Sequence, residues 1–171
     1  IKPETLLQNI LESFDINNIS KSSAKFSDKV MKSLNSDVLK NYKFSQVNKK
    51  INIENKKIDM EKLWIFSKNN ITFLNDINNW LDTIQITIDI SNHNISDKLI
   101  QSAIESIPEE PFNYETWDNW IQSINDKTGL KGRDLYMPLR LILTGKDKGP
   151  ELKNFLPLLD KQTLLRKFGK T

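Results

Sequence analysis

The sequence predicts an all-α fold, built as an irregular array of short helices. Five glycines and six prolines in 171 residues are too few for the many turns of an all-β protein. Apolar residues instead recur three and four positions apart in most segments, which is the spacing of one helix face. The intervals between these segments follow no fixed period, so the pattern does not indicate a protein of identical repeats.

The first half of the chain shows this helical spacing repeatedly. One helix is predicted to begin in the turn of Pro3 and to end near Phe14. A second begins after an N-cap at Ser27 and continues to Leu39. The other segments with helical spacing are 44–51, 59–66, 71–90 and 95–107.

Segment 71–90 admits two interpretations. Its apolar residues fit one long helix, but residues 84–90 also alternate apolar and polar, with β-branched side chains that suit a strand. The balance favours the helix. After the next segment, Pro108 stops the pattern, and residues 108–111 are the best candidate boundary between two helical subdomains, 1–107 and 108–171.

The second half of the chain has clearer starts and stops. Residues 114–128 form an apolar stripe that Gly129 would end as a C-cap. Residues 131–143 continue with helical spacing, broken by Pro138. The remaining signals are Thr144-Gly145 at the end of that helix, Pro150 opening another, and Asp160 capping the last.

The composition excludes several kinds of chemistry. Without cysteine and with one histidine, the chain has no disulfide, no thiolate zinc site and no cysteine nucleophile. His93 lies in a polar run that is typical of a solvated loop, and Glu109-Glu110 beside prolines is typical of a charged linker. We find neither a glycine-rich phosphate loop nor an apolar run of the roughly 20 residues that span a membrane.

The four tryptophans allow two interpretations. Trp64, Trp80, Trp117 and Trp120 all fall on predicted apolar stripes, which favours packing in the core. Stacking on nucleobases is the less favoured alternative.

The net charge of +3 is unevenly distributed. Residues 126–171 contain eleven basic and five acidic residues, a local charge of +6, whereas residues 101–120 contain five acidic residues and no lysine or arginine. This arrangement would suit a surface that meets a polyanion on one side, although two ordinary solvated faces would show it as well.

Segment 128–159 carries the sharpest candidates for binding. A bend at Pro138 would direct Arg140, whose guanidinium could donate to a phosphate or a base edge or instead form an internal ion pair. Gly145 and Gly149 enclose a short basic loop that contains Lys146. The free backbone N–H groups of this loop could bind an anion or a splayed base.

The same segment resembles the closing part of bacterial-type glutamyl-tRNA synthetases. Residues 131–152 read KGRDLYMPLRLILTGKDKGPEL, with the Lys-Gly, the aromatic residue, the Pro-Leu-Arg and the Leu-Thr-Gly of that family. Residues 14–35, FDINNISKSSAKFSDKVMKSLN, are similar to a segment that follows the family's nucleotide-site loop. The likeness covers nearly the whole chain and is weakest between residues 42 and 92.

This resemblance implies the helical carboxy-terminal half of such an enzyme, an anticodon-binding array that holds the anticodon stem and loop of tRNA. The first subdomain would lie on the stem side, and the second would carry the Pro-Leu-Arg and Leu-Thr-Gly motifs. The ATP-binding motifs of the family's catalytic domain are absent from these residues. The parent would be a cytoplasmic glutamate-tRNA ligase that uses ATP with magnesium. The fragment itself would be non-catalytic, without a metal or cofactor and monomeric, and would have tRNA and its own catalytic domain as partners.

The resemblance also implies which residues contact RNA. Arg140, Pro150 and Leu152 match positions that contact the anticodon loop, and Thr144 matches one that supports it. Gly149 stands where some members have threonine. Lys40 stands where members that discriminate glutamate tRNA from glutamine tRNA carry arginine, which leaves both tRNAs as partners. The predicted tRNA-binding residues are Lys40, Lys131, Arg133, Arg140, Thr144, Lys146, Pro150 and Leu152.

Two other functions compete with this interpretation. A helical protein-interaction module would bind a partner helix in an apolar groove, with little dependence on salt. RNA binding would weaken steeply as salt rises, because bound counterions are released. A small enzyme is the least favoured alternative, since one histidine and no cysteine leave no evident catalytic group.

Overall fold

The computed structural model describes residues 7–23, 27–51, 58–89 and 94–170. Within these ranges every regular element is a helix, which confirms the predicted all-α fold. The helices are α1 (Leu7–Ser13), α2 (Asp28–Asn41), α3 (Phe44–Val47), α4 (Met60–Ser67), α5 (Ile77–Gln85), α6 (Asp97–Glu105), α7 (Tyr114–Thr128), α8 (Gly132–Thr144), α9 (Leu152–Phe155) and α10 (Lys161–Lys167). Short 3-10 turns lie at Ile16–Asn18, Asn48–Lys50, Lys68–Asn70, Leu74–Asp76 and Leu156–Leu158.

Helices with a clear cap signal begin and end where the sequence predicts. The Asp59 carboxylate accepts hydrogen bonds from two backbone amides at the start of α4, and Asp160 accepts one from Thr163 at 2.6 Å at the start of α10. Gly129 ends α7 with φ 75°, and Gly145 ends α8 with φ 66°. Both glycines adopt the left-handed conformation that a C-cap favours.

Three predictions about helix extent are wrong. Residues 71–90 do not form one long helix, because α5 stops at Gln85 and residues 86–89 have no regular structure. Pro138 does not break α8, which runs through it from Gly132 to Thr144. Pro150 does not open a helix, since Glu151 is the N-cap of α9.

The four tryptophans pack in the core, as the favoured interpretation predicted. Trp64 and Trp120 are 1 % exposed, and their indole N–H groups donate to the carbonyl oxygens of Tyr42 and Ala103 at 3.1 and 2.9 Å. Each bond satisfies a buried donor and ties its helix to a neighbouring element. Two of the four indole N–H groups are therefore hydrogen-bonded inside the core.

One aromatic cluster connects the middle of the chain to its end. The ring of Phe66 lies 5.3 Å from the rings of both Trp80 and Phe155, and Trp120 stacks edge-on against Phe168. A single core cluster contains residues from both sides of 108–111. The division into two subdomains, 1–107 and 108–171, stays a prediction. Glu109 and Glu110 in this connection are exposed and bind Lys161 at the start of α10, through its ammonium and its backbone amide respectively.

Among the described residues, no helix has the length and apolar character needed to cross a bilayer. The same part of the chain holds no cluster of side chains suited to bind a metal ion. His93 lies outside the described residues.

Candidate nucleic-acid interface

The carboxyl end of α8 and the loop that follows it form a closed turn. The Thr144 hydroxyl donates to the carbonyl oxygen of Arg140 at 2.8 Å and accepts from the amide of Lys146 at 3.3 Å. A Cβ atom on Gly145 would lie 2.5 Å from Cδ1 of Ile88, so the end of that side chain would have to shift to admit one. Thr144 therefore holds the turn from inside, where it is 5 % exposed.

Trp80 of α5 forms the floor beneath this loop. The ammonium of Lys146 lies 4.0 Å from the centre of the Trp80 ring, within the range of a cation–π interaction. A Cβ atom on Gly149 would lie 3.0 Å from Cη2 of Trp80 and 3.5 Å from Nη1 of Arg140. The backbone at Gly149 is thus packed between the indole and the guanidinium.

Arg140 lies at the rim of a recess of about 270 Å³. Its side chain is half-buried, and this burial lowers the pKa of the guanidinium because desolvation disfavours the charged form. Among the described residues, Arg140 takes part in none of the ion pairs, so the internal ion pair considered from the sequence is not formed there. The recess is lined by Trp117, Tyr136, Arg140, Glu151, Leu152 and Lys153.

Lys153, which also lines the recess, differs from Arg140 in its pairing. Its ammonium lies 2.6 Å from an Asp118 carboxylate oxygen and 5.9 Å from the centre of the Tyr114 ring. Its charge is therefore partly neutralised, whereas the guanidinium of Arg140 has no ion pair among the described residues. Glu151 is the acidic group of the recess.

The structure brings some of the predicted residues together and leaves others apart. Leu152 lines the recess and is buried. Pro150, two residues earlier in the sequence, is also buried. Arg133 is exposed on α8 two turns before Arg140 and so faces the same side at about 10 Å of helical rise. Lys131 is the exposed N-cap of α8.

Lys40 does not line this recess. It lies on α2, where its ammonium forms an ion pair with Asp37 at 2.9 Å. Both side chains are well exposed, so the pair contributes little to stability and leaves the lysine accessible.

Sequence reasoning missed the aromatic surroundings of Arg140. Trp80, Trp117 and Tyr136 were placed in the core or in a motif, and none was assigned to the site. Periodicity marks an aromatic residue as apolar, but it does not show which edge of the ring borders a recess. The one sequence signal near them is Gly149, and the structure shows it with a φ of 150° and with Trp80 and Arg140 beside the space for its Cβ atom.

This chain is similar to known proteins over nearly its whole length. The anticodon binding domain family matches residues 26–170. The chain is 34% identical over 167 residues to "Glutamate--tRNA ligase 1" of Ehrlichia ruminantium (strain Welgevonden), covering 96% of this chain and 37% of the relative. It is 30% identical over 168 residues to "Glutamate--tRNA ligase 2" of Rickettsia canadensis (strain McKiel), covering 98% and 38%. The chain thus spans a little over a third of the length of these curated relatives.

Two solved structures share the fold. A glutamate-tRNA synthetase from Elizabethkingia anophelis matches with a TM-score of 0.67 and 25% identity, over 94% of this chain and 34% of that one. A glutamate tRNA ligase from Elizabethkingia meningosepticum matches with a TM-score of 0.71 and 23% identity, over 95% and 35%. The resemblance seen in the sequence is confirmed, and this chain belongs to the anticodon-binding domain family.

Proposed function

We propose that this chain binds the anticodon stem and loop of a tRNA, and that the recess beside Arg140 receives an unstacked base of the loop. The observation that carries the proposal is the half-buried guanidinium of Arg140, which has no ion pair among the described residues and borders a recess with aromatic and apolar walls. Sequence-specific RNA recognition uses such walls for splayed bases and arginine forks for their edges.

The surroundings of the loop support contact with phosphates. No described residue accepts a hydrogen bond from the amides of Asp147, Lys148 or Gly149. Free amides and nearby ammonium groups are the donors that bind phosphate oxygens. The proposed RNA-contacting residues near this loop are Lys131, Arg133, Arg140, Lys146, Pro150 and Leu152, with Thr144 as their support and Lys40 as a separate contact on α2.

The proposal extends to the parent protein. The relatives are named glutamate-tRNA ligases, so the parent would attach glutamate to tRNA in a reaction that uses ATP with magnesium, in a part of the protein outside these residues. The tRNA is glutamate-accepting, and Lys40 extends the proposal to glutamine-accepting tRNA. Residues 1–107 would contact the stem and residues 108–171 the loop, in a monomer that acts in the cytoplasm beside its own catalytic domain.

The test is the affinity of the chain for a glutamate-accepting tRNA and for the same tRNA with its anticodon loop bases replaced. We expect the replaced loop to bind about tenfold more weakly, because each lost base contact costs on the order of 1–3 kcal/mol. Both affinities should fall as salt rises, with a log–log slope near −0.7 to −0.9 for each phosphate contact. Equal affinities for the two RNAs, or an affinity independent of salt, would contradict the proposal.

A further inference from the structure

The contact between Trp80 and the loop of residues 145–150 joins two distant parts of the sequence. Trp80 lies on α5, whereas the loop follows α8. The indole meets the loop twice, with its face under the ammonium of Lys146 at 4.0 Å and with its Cη2 edge against Gly149. The position of the loop is therefore set by a residue from outside it.

Trp80 itself is rigidly held. It is 7 % exposed, and Phe66 packs edge-on against it with ring centres 5.3 Å apart and planes at 84°. This edge-to-face arrangement is a favoured geometry for aromatic pairs. Because Phe66 also contacts Phe155, the indole cannot shift without disturbing the core.

Gly149 lies between Trp80 and Arg140. The space for a Cβ atom at residue 149 lies 3.0 Å from the indole and 3.5 Å from Nη1 of Arg140, so the backbone fills the gap between them. A methyl group would meet an indole that has no room to retreat, and the loop would have to move instead. The distance between the loop and the guanidinium of Arg140 would therefore change.

We propose that Trp80 is a positioning residue for RNA binding. Its indole ring requires glycine at position 149 and fixes the positions of Lys146 and Arg140 around it. The inference rests on the proposed function and adds to it a residue that does not itself contact the RNA. Trp80 acts by setting the distance between an arginine that meets the base and a lysine that meets the phosphate backbone.

A double-mutant cycle tests the contact. We expect Gly149→Ala to weaken binding of glutamate-accepting tRNA about tenfold in the wild-type background. In the Trp80→Phe background the atoms that meet the methyl group are gone, so the same change should cost about threefold or less. The unusual φ of Gly149 is present in both backgrounds, so the backbone strain cancels and the cycle reports the contact.

A second readout separates positioning from general stability. Gly149→Ala should reduce the preference for the native anticodon loop over a replaced loop, and this reduction should be smaller in the Trp80→Phe background, although the strained φ lowers the thermal midpoint in both backgrounds. A purely structural role would lower the midpoint and leave the preference unchanged. Trp80→Phe keeps an aromatic ring against Phe66, which favours folding of the variant.

Lys146→Met and Lys148→Met provide a matched pair that leaves the core intact. Both remove one positive charge, but among the described residues only Lys146 lies over an aromatic ring in this loop. We expect the loss of affinity for Lys146→Met to exceed that for Lys148→Met by about threefold or more, and this excess to shrink when Trp80 is replaced by leucine, because the ammonium is then no longer held over an aromatic ring.

Equal losses in this pair, or additive losses in the double-mutant cycle, would overturn the positioning role while tRNA binding stands. A wild-type chain that binds native and replaced loops equally would instead overturn the proposed function, and the positioning role with it.

Discussion

Burial of charge distinguishes two basic residues. Burial lowers the pKa of both Arg140 and Lys167. Lys167 is 1 % exposed, and its ammonium donates to the carbonyl oxygens of Thr83 and Ile86 at the end of α5. Its donors are used inside the protein, where they stabilise the carboxyl end of a helix. Arg140 has no such acceptors in the described part of the chain, and this difference supports the proposal that it contacts RNA.

The buried Lys167 makes stability depend on pH. Burial and the charge of Arg166 lower the pKa of Lys167 from 10.5 to about 8. Between these values the unfolded chain holds a proton that the folded chain has released, so the free energy of unfolding rises with pH in this window. Below about pH 8 both states are protonated, and this contribution is constant.

Lys167→Met tests this dependence by denaturant unfolding at pH 7.5 and pH 10. We expect the wild type to gain up to about 2 kcal/mol relative to the variant over this range. Titration of other groups cancels in the comparison, because both proteins contain them. A stability of the wild type relative to the variant that stays the same at both pH values, or that falls at pH 10, would contradict the lowered pKa of Lys167.

At the scale of helices, local signals predicted the ends that depend on local bonds. Gly129 and Asp160 were recognisable as caps because a cap is made by residues a few positions apart. The end of α5 was not, since residues 84–90 fit both a helix and a strand, and the carbonyl oxygens at that end are satisfied by Lys167 from 81 residues or more away. Pro138 lies within α8, between the buried residues Leu135 and Leu139. The helical spacing of those two leucines does not predict whether a proline between them ends the helix.

The start of α7 offers a test of cap energetics. Asn113 accepts a hydrogen bond from the amide of Thr116 at 2.8 Å, and the Thr116 hydroxyl accepts one from the amide of Asn113 at 3.1 Å. We expect Asn113→Ala to lower the free energy of unfolding by about 1 kcal/mol, because the reciprocal cap is lost.

Asn119→Ala is the matched control for this cap. Asn119 is exposed in the interior of the same helix, where alanine has the higher helix propensity. Unfolding in denaturant should show no loss of stability for this variant. A similar loss in both variants would indicate that the Asn113 cap contributes nothing of its own.

At the scale of the whole molecule, the composition and the spacing of apolar residues predicted the fold class, but they did not predict the interface. Scarce glycine and proline and the spacing of apolar residues were sufficient for an all-α array. The position of Arg140 in the motif was visible from the resemblance. The support of the neighbouring loop by Trp80 depends on contacts between residues more than 60 positions apart, which no local pattern records.

The measurement that tests the central claim most directly compares Arg140→Ala with Arg166→Ala for binding to glutamate-accepting tRNA at fixed salt. Both variants lose one guanidinium, but Arg166 is exposed on α10, donates to the Thr163 hydroxyl and lines a different recess. We predict a loss of about tenfold or more for Arg140→Ala, as expected for a lost arginine contact to a base, and little change for Arg166→Ala. Equal affinities of the two variants would contradict the account.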